Sequence, residues 1–288
     1  MIAQPDDIAD GILLPQHLNE ARFSKYTFEP FNEPPRFSDS LGNGAASGST
    51  GAINLIHTPY GCYEWRVLGG GQTIIVPIFD RANGLGLDFA QDLANGDGHE
   101  IRFSTNITTG GFTRGKHSFV VGGPAFFCRV KMRGNRVDRL NGTDGWSFGF
   151  VRHQAYNNTF ANYTDSATFF CTGNGTGGVA DVLLRTKLNG GSFDTVFLAT
   201  ASTAIPRWAN DTSRTFEMRV SVPGRVSVLV DDRVPASGAT GLTAVSSFVF
   251  DFGDVVMPVA RFSNGNLQID NLFYQEFECG FMAERGGR

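Results

Sequence analysis

The sequence predicts an all-β protein built as an antiparallel β-sandwich, and three observations predict it. Apolar and polar residues alternate over short runs, Gly, Asn, Asp and Pro fill the gaps between runs, and no stretch keeps a helical period. The clearest run is residues 216–234. Phe216, Met218, Val220 and Val222 alternate with Glu217, Arg219 and Ser221, which gives a strand one dry face and one wet face. Pro223-Gly224-Arg225 turns the chain, and Val226, Val228 and Val230 resume the alternation up to a second turn at Asp231-Asp232. Composition agrees, with 26 Phe against 18 Leu and 36 Gly in 288 residues. Phe suits a pleated, half-buried surface and Gly suits tight turns. Burying each Phe is worth about 1.5–3 kcal/mol, so these rings can sustain a broad core between two sheets.

Residues 1–50 read as an extended arm. Phe23, Tyr26, Phe28, Phe31 and Phe37 sit among Pro5, Pro15, Pro30, Pro34 and Pro35, a proline density that blocks helices and ladder hydrogen bonds. Such an arm cannot bury its aromatics against itself. Docking on another subunit is the expectation for these five residues, and wrapping the arm's own domain is the alternative. Gly42–Gly51 (GNGAASGSTG) closes the arm as a linker.

Residues 51–121 read as an N-terminal β portion. Its strands are AINLIHT, CYEWRVL, TIIVPIF, HEIRFST and HSFVVGG, with Pro77 marking TIIVPIF as an edge or bulged strand. Residues 122–279 read as the main sandwich. In AFFCRVKM, Phe126, Cys128, Val130 and Met132 point one way, with Arg129, Lys131 and Arg133 opposite. GWSFGFV turns Trp146, Phe148 and Phe150 inward. ATFFCT, VADVLLRT, DTVFLAT, the 216–234 hairpin, SSFVFDF and LQIDNLFYQEF complete the set, and residues 280–288 form a tail.

Charge and cysteine usage narrow the function. Net charge is −4, so a general nucleic-acid surface is not expected. Arg outnumbers Lys 20 to 4, which suits bidentate contacts with carboxylates in protein interfaces; GC-rich codon usage would give the same ratio. Cys62, Cys128, Cys171 and Cys279 form no CxxC pair, and the five histidines are dispersed, so neither a zinc site nor a disulfide framework is expected. No cofactor is expected. The loop Asp138–Asp144 reads as an Asx-stabilised turn, with Ca²⁺ binding as the alternative. No apolar run approaches a membrane span, and MIAQPDDIADG lacks a signal-peptide core, so synthesis in a bacterial host cytoplasm without membrane insertion is the expectation.

The order of FFCRVKM, GTDGWSFGFV, TFEMRVSVPGRVSVLVDDRVP and LQIDNLFYQEF resembles the concanavalin A-like lectin/glucanase jelly roll. More narrowly, GLGLDFAQDLANGDGHEIRF leading into FTRGKHSFVVGGPAFFCRVKM is similar to virion proteins of tailed bacteriophages that carry this sandwich. The resemblance spans roughly residues 75–277. It implies a jelly-roll fold and, more loosely, a capsid decoration or cement protein on the virion surface. Such a protein would be homo-oligomeric, with a trimer as the expected state and the major capsid protein as partner.

Glucanases of this fold set acids at alternate positions of one strand, so that two carboxylates share the cleft. No such run is found here. Asp231-Asp232 lie in a turn, the three-residue spacing of Asp251 and Asp254 sends them to different faces, and Asp270 stands alone. A non-enzymatic protein is therefore expected. The alternative function is a carbohydrate- or receptor-binding tail fibre or spike. In that reading Tyr156, Phe160 and Tyr163 of HQAYNNTFANYT would stack on a glycan, unless the loop packs these rings on itself.

Overall fold

The computed structural model describes residues 25–39, 53–68, 76–88, 98–104, 117–140, 145–173, 177–201, 203–237, 242–243, 247–263 and 271–287. Phe23, the Gly42–Gly51 linker, most of the Asp138–Asp144 loop and Asp270 fall outside them.

The strands in chain order are β1 (Thr27–Glu29), β2 (Arg36–Asp39), β3 (Ile53–His57), β4 (Cys62–Leu68), β5 (Val76–Asp80), β6 (Gly84–Asp88) and β7 (Gly98–Arg102). They continue with β8 (Phe119–Val120), β9 (Phe126–Gly134), β10 (Trp146–Arg152), β11 (Ser166–Gly173), β12 (Val179–Lys187), β13 (Asp194–Ala199) and β14 (Trp208–Ala209). The last are β15 (Thr212–Val220), β16 (Val226–Val230), β17 (Ala236–Ser237), β18 (Leu242–Thr243), β19 (Val255–Ser263) and β20 (Asn271–Phe281). Among the described residues the only helical pieces are short 3₁₀ turns, and no helix is long and apolar enough to cross a membrane.

Two antiparallel sheets form the sandwich. Sheet A runs β16-β15-β9-β20-β6-β5, with β1 added beside β20. Sheet B runs β13-β12-β11-β10-β19-β7-β4-β3-β2, with β14 beside β12 and β8 beside β19. The inward side chains anticipated on β9, β10, β15 and β16 (Phe126, Cys128, Val130, Met132, Trp146, Phe148, Phe150, Phe216, Met218, Val220, Val226, Val228 and Val230) all lie in one buried core. Val222 belongs to the turn instead and is exposed. Asp231 and Asp232 both take positive φ (51° and 60°), the two-residue hairpin turn whose twist matches the strands. β5, carrying Pro77, is the outer strand of sheet A, as an edge strand should be.

Three expectations are corrected. The boundary at residue 121 does not separate two units, because β5 and β6 extend sheet A from β20 while β7, β4 and β3 extend sheet B from β19. SSFVFDF is not a strand: among its described residues only Val249 bridges, to Arg225. The strand starts three residues beyond it, at Val255–Ser263, with Pro258 inside a central strand. The Pro258 carbonyl accepts from the Phe103 N–H at 3.1 Å, so the proline nitrogen faces that same side. There β8 has ended at its Val256 pairing and β7 begins only at Val259, so no ladder donor is missed.

The arm is the third correction. β1 adds to β20, β2 adds to β3, and the intervening Phe31 is 2% exposed within the core. Phe37 meets Trp65 edge-on at 6.2 Å. Tyr26 donates to Glu278 Oε1 at 2.8 Å, and Phe28 pairs opposite Glu278. These four residues pair with or pack on this chain's own sheets, because the side of β20 beyond the end of β6 and the outer side of β3 offer unpaired ladder groups within the segment's reach.

Candidate functional site

The antiparallel registers gather five turns at one end of the sandwich. They join β8 to β9, β10 to β11, β12 to β13, β15 to β16, and residues 248–254 to β19. At this end Asp251-Phe252-Gly253-Asp254 forms a turn, with Gly253 at φ 89° and the Gly253 N–H bonded to the Val121 carbonyl at 2.9 Å. The turn pushes the Phe252 ring into solvent at 86% exposure. The ring lies over Gly122, where an added Cβ would stand only 2.1 Å from Phe252 Cε2. Exposed Val222 and Val249 belong to the same set of turns, and exposed Val120 ends β8 just before one of them.

Polar groups converge on the two acids of this turn. The Asp251 carboxylate accepts from Asn189 Nδ2 at 3.0 Å, and the Asn189 backbone N–H donates to Asp165 Oδ1 at 2.6 Å. Arg152 donates to Asp165 Oδ2 at 3.0 Å and lies 3.6 Å from Asp254 Oδ1. Burial raises the Asp254 carboxyl above its ordinary pKa; Arg152 opposes the shift, and the Asp165 and Asp251 charges add to it. Asn189 has φ 52°, a conformation that asparagine tolerates at a turn. The result is a turn that carries an open apolar ring between two acids, one held by an amide and the other close to a guanidinium.

The loop whose rings are candidates to stack on sugars packs two of them, Phe160 and Tyr163, against the sheet. Phe160 and Tyr163 are buried in a small second core with Val151, Met257 and Val259 on the outer side of sheet B. Tyr163 donates to Glu100 Oε1 at 2.5 Å, and burial pushes its phenol well above the ordinary range. Tyr156 is half-buried, with the Arg66 guanidinium 4.9 Å from its ring centre. The loop packs its aromatics on itself because five charged residues lie beneath it. Glu64 and Arg66 of β4, Glu100 and Arg102 of β7, and Arg261 of β19 are all buried on neighbouring strands. Backbone carbonyls of Gln154, Asn157 and Asn158 accept from Arg102 and Arg261, so the loop satisfies guanidinium donors that would otherwise be left dry.

A second polar face lies outside sheet A. Arg129 stands among Glu217, Glu276, Glu278 and Asp232 at 3.7–3.8 Å. Arg285, from the C-terminal 3₁₀ turn Met282–Gly287, donates to Glu217 at 2.7 Å and crosses the Phe127 ring. Glu276 and Glu278 are therefore an alternating acidic pair on one strand, a pattern the sequence reading passed over although Glu276-Phe277-Glu278 displays it. Burial works to raise Glu217, but Arg285 and Arg219 outweigh it and hold the carboxyl below the ordinary range. A general acid needs the opposite shift. The outward arginines are engaged within the chain as well: Arg133 reaches Asn83 and Asp211, and Arg136 reaches Asp138. Among the described residues no three His, Cys, Asp or Glu side chains converge as a metal site.

No protein-family model matches this chain, and no curated protein matches it. Among solved structures, the metal-free exoplasmic/lumenal domain of VIP36 is similar with a TM-score of 0.45 and 12% identity, over 90% of this chain and 92% of that one. The carbohydrate recognition domain of Emp47p gives 0.43 and 15%, over 75% and 88%. The globular domain of T. cruzi calreticulin gives 0.44 and 10%, over 77% and 85%. By its own strand order the protein is an all-β antiparallel sandwich; at these scores nothing else of those structures transfers to this chain.

Proposed function

We propose that the chain is a non-catalytic, carbohydrate-binding surface protein of a bacteriophage virion, of the fibre or spike kind, holding a glycan at the Phe252 end of the sandwich. One observation carries this reading: a phenylalanine ring almost wholly in solvent, in a turn whose adjacent Asp251 holds the Asn189 amide and whose Asp254 lies by the Arg152 guanidinium. Water does not favour an exposed apolar ring. The C–H face of a sugar would cover it, while hydroxyls bond the flanking carboxylate and amide, the small number of placed polar groups that fixes a ligand's orientation. The glutamates on the outer faces are matched to arginines rather than poised as an acid and a nucleophile, which supports binding without hydrolysis. A glycan array followed by calorimetry on Phe252→Ala and Asp251→Asn tests it. Binding that both variants abolish supports the reading; an array with no hit, or binding that both variants retain, removes it. Release of reducing sugar by the pure protein would show an enzyme.

A second reading, a trimer that decorates the capsid through the major capsid protein, is favoured by the likeness of residues 84–103 and 112–132 to phage virion proteins. Cross-linking within purified virions separates the two, since links to the major capsid protein belong only to decoration.

A further inference from the structure

Cys128 of β9 and Cys279 of β20 face each other across adjacent antiparallel strands at the centre of sheet A, and both side chains are fully buried in the inter-sheet core. Their position in the ladder follows from a bond at its end. Phe281 faces Phe126, and the next amide, Met282 N–H, donates to the preceding carbonyl, Ala125, at 2.8 Å. A bond so placed brackets Phe281–Phe126 as a pair without hydrogen bonds to each other. Pair types alternate along an antiparallel ladder, so Gly280–Phe127 is hydrogen-bonded and Cys279–Cys128 is again non-hydrogen-bonded. At such pairs the Cα atoms stand about 4.5 Å apart and the side chains are at their closest. That separation lies inside the range of about 4.4–6.8 Å that a disulfide spans. The remaining cysteines have no such neighbour: Cys62 is exposed opposite His57, and Cys171 faces Trp146.

We propose that Cys128 and Cys279 are a modifiable pair that closes into a cross-strand disulfide when the folded protein meets hydrogen peroxide. One thiolate attacks the peroxide O–O bond, giving a sulfenic acid and releasing hydroxide, which takes up the thiol's proton as water. The second thiol then attacks the sulfenic sulfur, forming the S–S bond and expelling a second water. Two thiols are oxidised and one peroxide is reduced. Burial raises the Cys128 thiol well above its ordinary pKa, with Cys279 adding to the shift, so the thiolate is scarce and the closure is slow. A small neutral oxidant is required because neither sulfur reaches the surface. The bond would staple two central strands and close a loop of more than half the chain. The reading as a virion protein supplies only the setting, a passage from a reducing cytoplasm to an oxidising exterior.

The test uses the full chain carrying Cys62→Ala and Cys171→Ala, so that only the pair remains. Reduced native protein is treated with hydrogen peroxide, quenched, denatured in an alkylating agent and mapped by mass spectrometry. The expected result is joint loss of both thiols, a linked peptide pair reversed by dithiothreitol, and a Tm about 5–10 °C above that of the reduced protein. Cys128→Ser added to this background should abolish the link. If both thiols remain alkylatable after a treatment that links the same chain in urea, the pair is a packing contact and the inference falls. Should the double variant not fold, the same Cys128–Cys279 peptide is sought in the parent protein. Glycan binding plays no part in either readout, so failure here leaves the proposed function untouched.

Discussion

Arg261 donates to Glu100 across 3.1 Å beneath the loop that carries Tyr163, with both side chains shut away from solvent. Removing one partner of such a pair leaves an uncompensated buried charge, which typically costs about 3–5 kcal/mol. Arg261→Ala is therefore expected to lower unfolding stability by about that much in chemical denaturation. Replacing the charges together by apolar residues of similar volume, as in Arg261→Met with Glu100→Leu, should cost less than the sum of the single changes. Additive losses in that double-mutant cycle would show that the two groups are not coupled.

Glu29 gives a pH dependence. It is buried on β1, accepts from Thr58 Oγ1 and from the Phe31 N–H, and burial raises its pKa above the ordinary 4.5; the two hydrogen bonds oppose the shift and Glu33 adds to it. A carboxyl with a raised folded pKa favours folding fully below its unfolded pKa, and this contribution is lost as pH rises through the folded value. Glu29→Gln stays neutral throughout. The variant should therefore gain on the parent in Tm as pH climbs through the window above 4.5, and the advantage should vanish below it. A constant difference across that range would assign the effect to packing.

Phe31 anchors the same segment from inside the core, with a backbone φ of 43° that only surrounding contacts maintain. Truncation of a buried Phe to Ala costs about 3–5 kcal/mol when the site cannot collapse. Phe31→Ala should lower the Tm and open residues 25–39 to limited proteolysis ahead of the sheets. Unchanged cleavage would mean that pairing of β1 and β2 alone holds the segment.

Much of the sandwich is legible in the sequence because strand periodicity and burial coincide where one face is dry. Phe126–Met132 and the two arms of the 216–230 hairpin show their inward faces directly. Val255–Ser263 is not legible, since it runs apolar on both faces, against the core and against the Phe160–Tyr163 cluster, and carries a proline whose harmlessness depends on where two partner strands begin and end. The charged alternation of Glu64-Arg66 and Glu100-Arg102 reads as wet surface, yet a loop from elsewhere in the chain buries it. Phe252 misleads in the other direction: an apolar ring in an alternating run reads as core, while a Gly253 turn turns it outward. Both cases share a cause, because which side of a strand is dry depends on segments distant in sequence.

Gly122 offers a way to disturb the candidate site without altering any group that would touch a ligand. Its φ of 92° and its contact under the Phe252 ring leave no room for a Cβ. The ring is the freer partner, being exposed, so Gly122→Ala should displace Phe252 while the buried core keeps its packing. An aromatic contact is worth about 0.5–1.5 kcal/mol beyond its area, so its misplacement should weaken glycan binding by roughly tenfold. The positive φ should cost the fold about 1–2 kcal/mol, visible as a small drop in Tm. Calorimetry and thermal denaturation on the same sample read both quantities. Affinity that holds while stability falls would place the ligand away from Phe252, whereas loss of affinity matching that of Phe252→Ala would fix the ring as the platform on which the sugar lies.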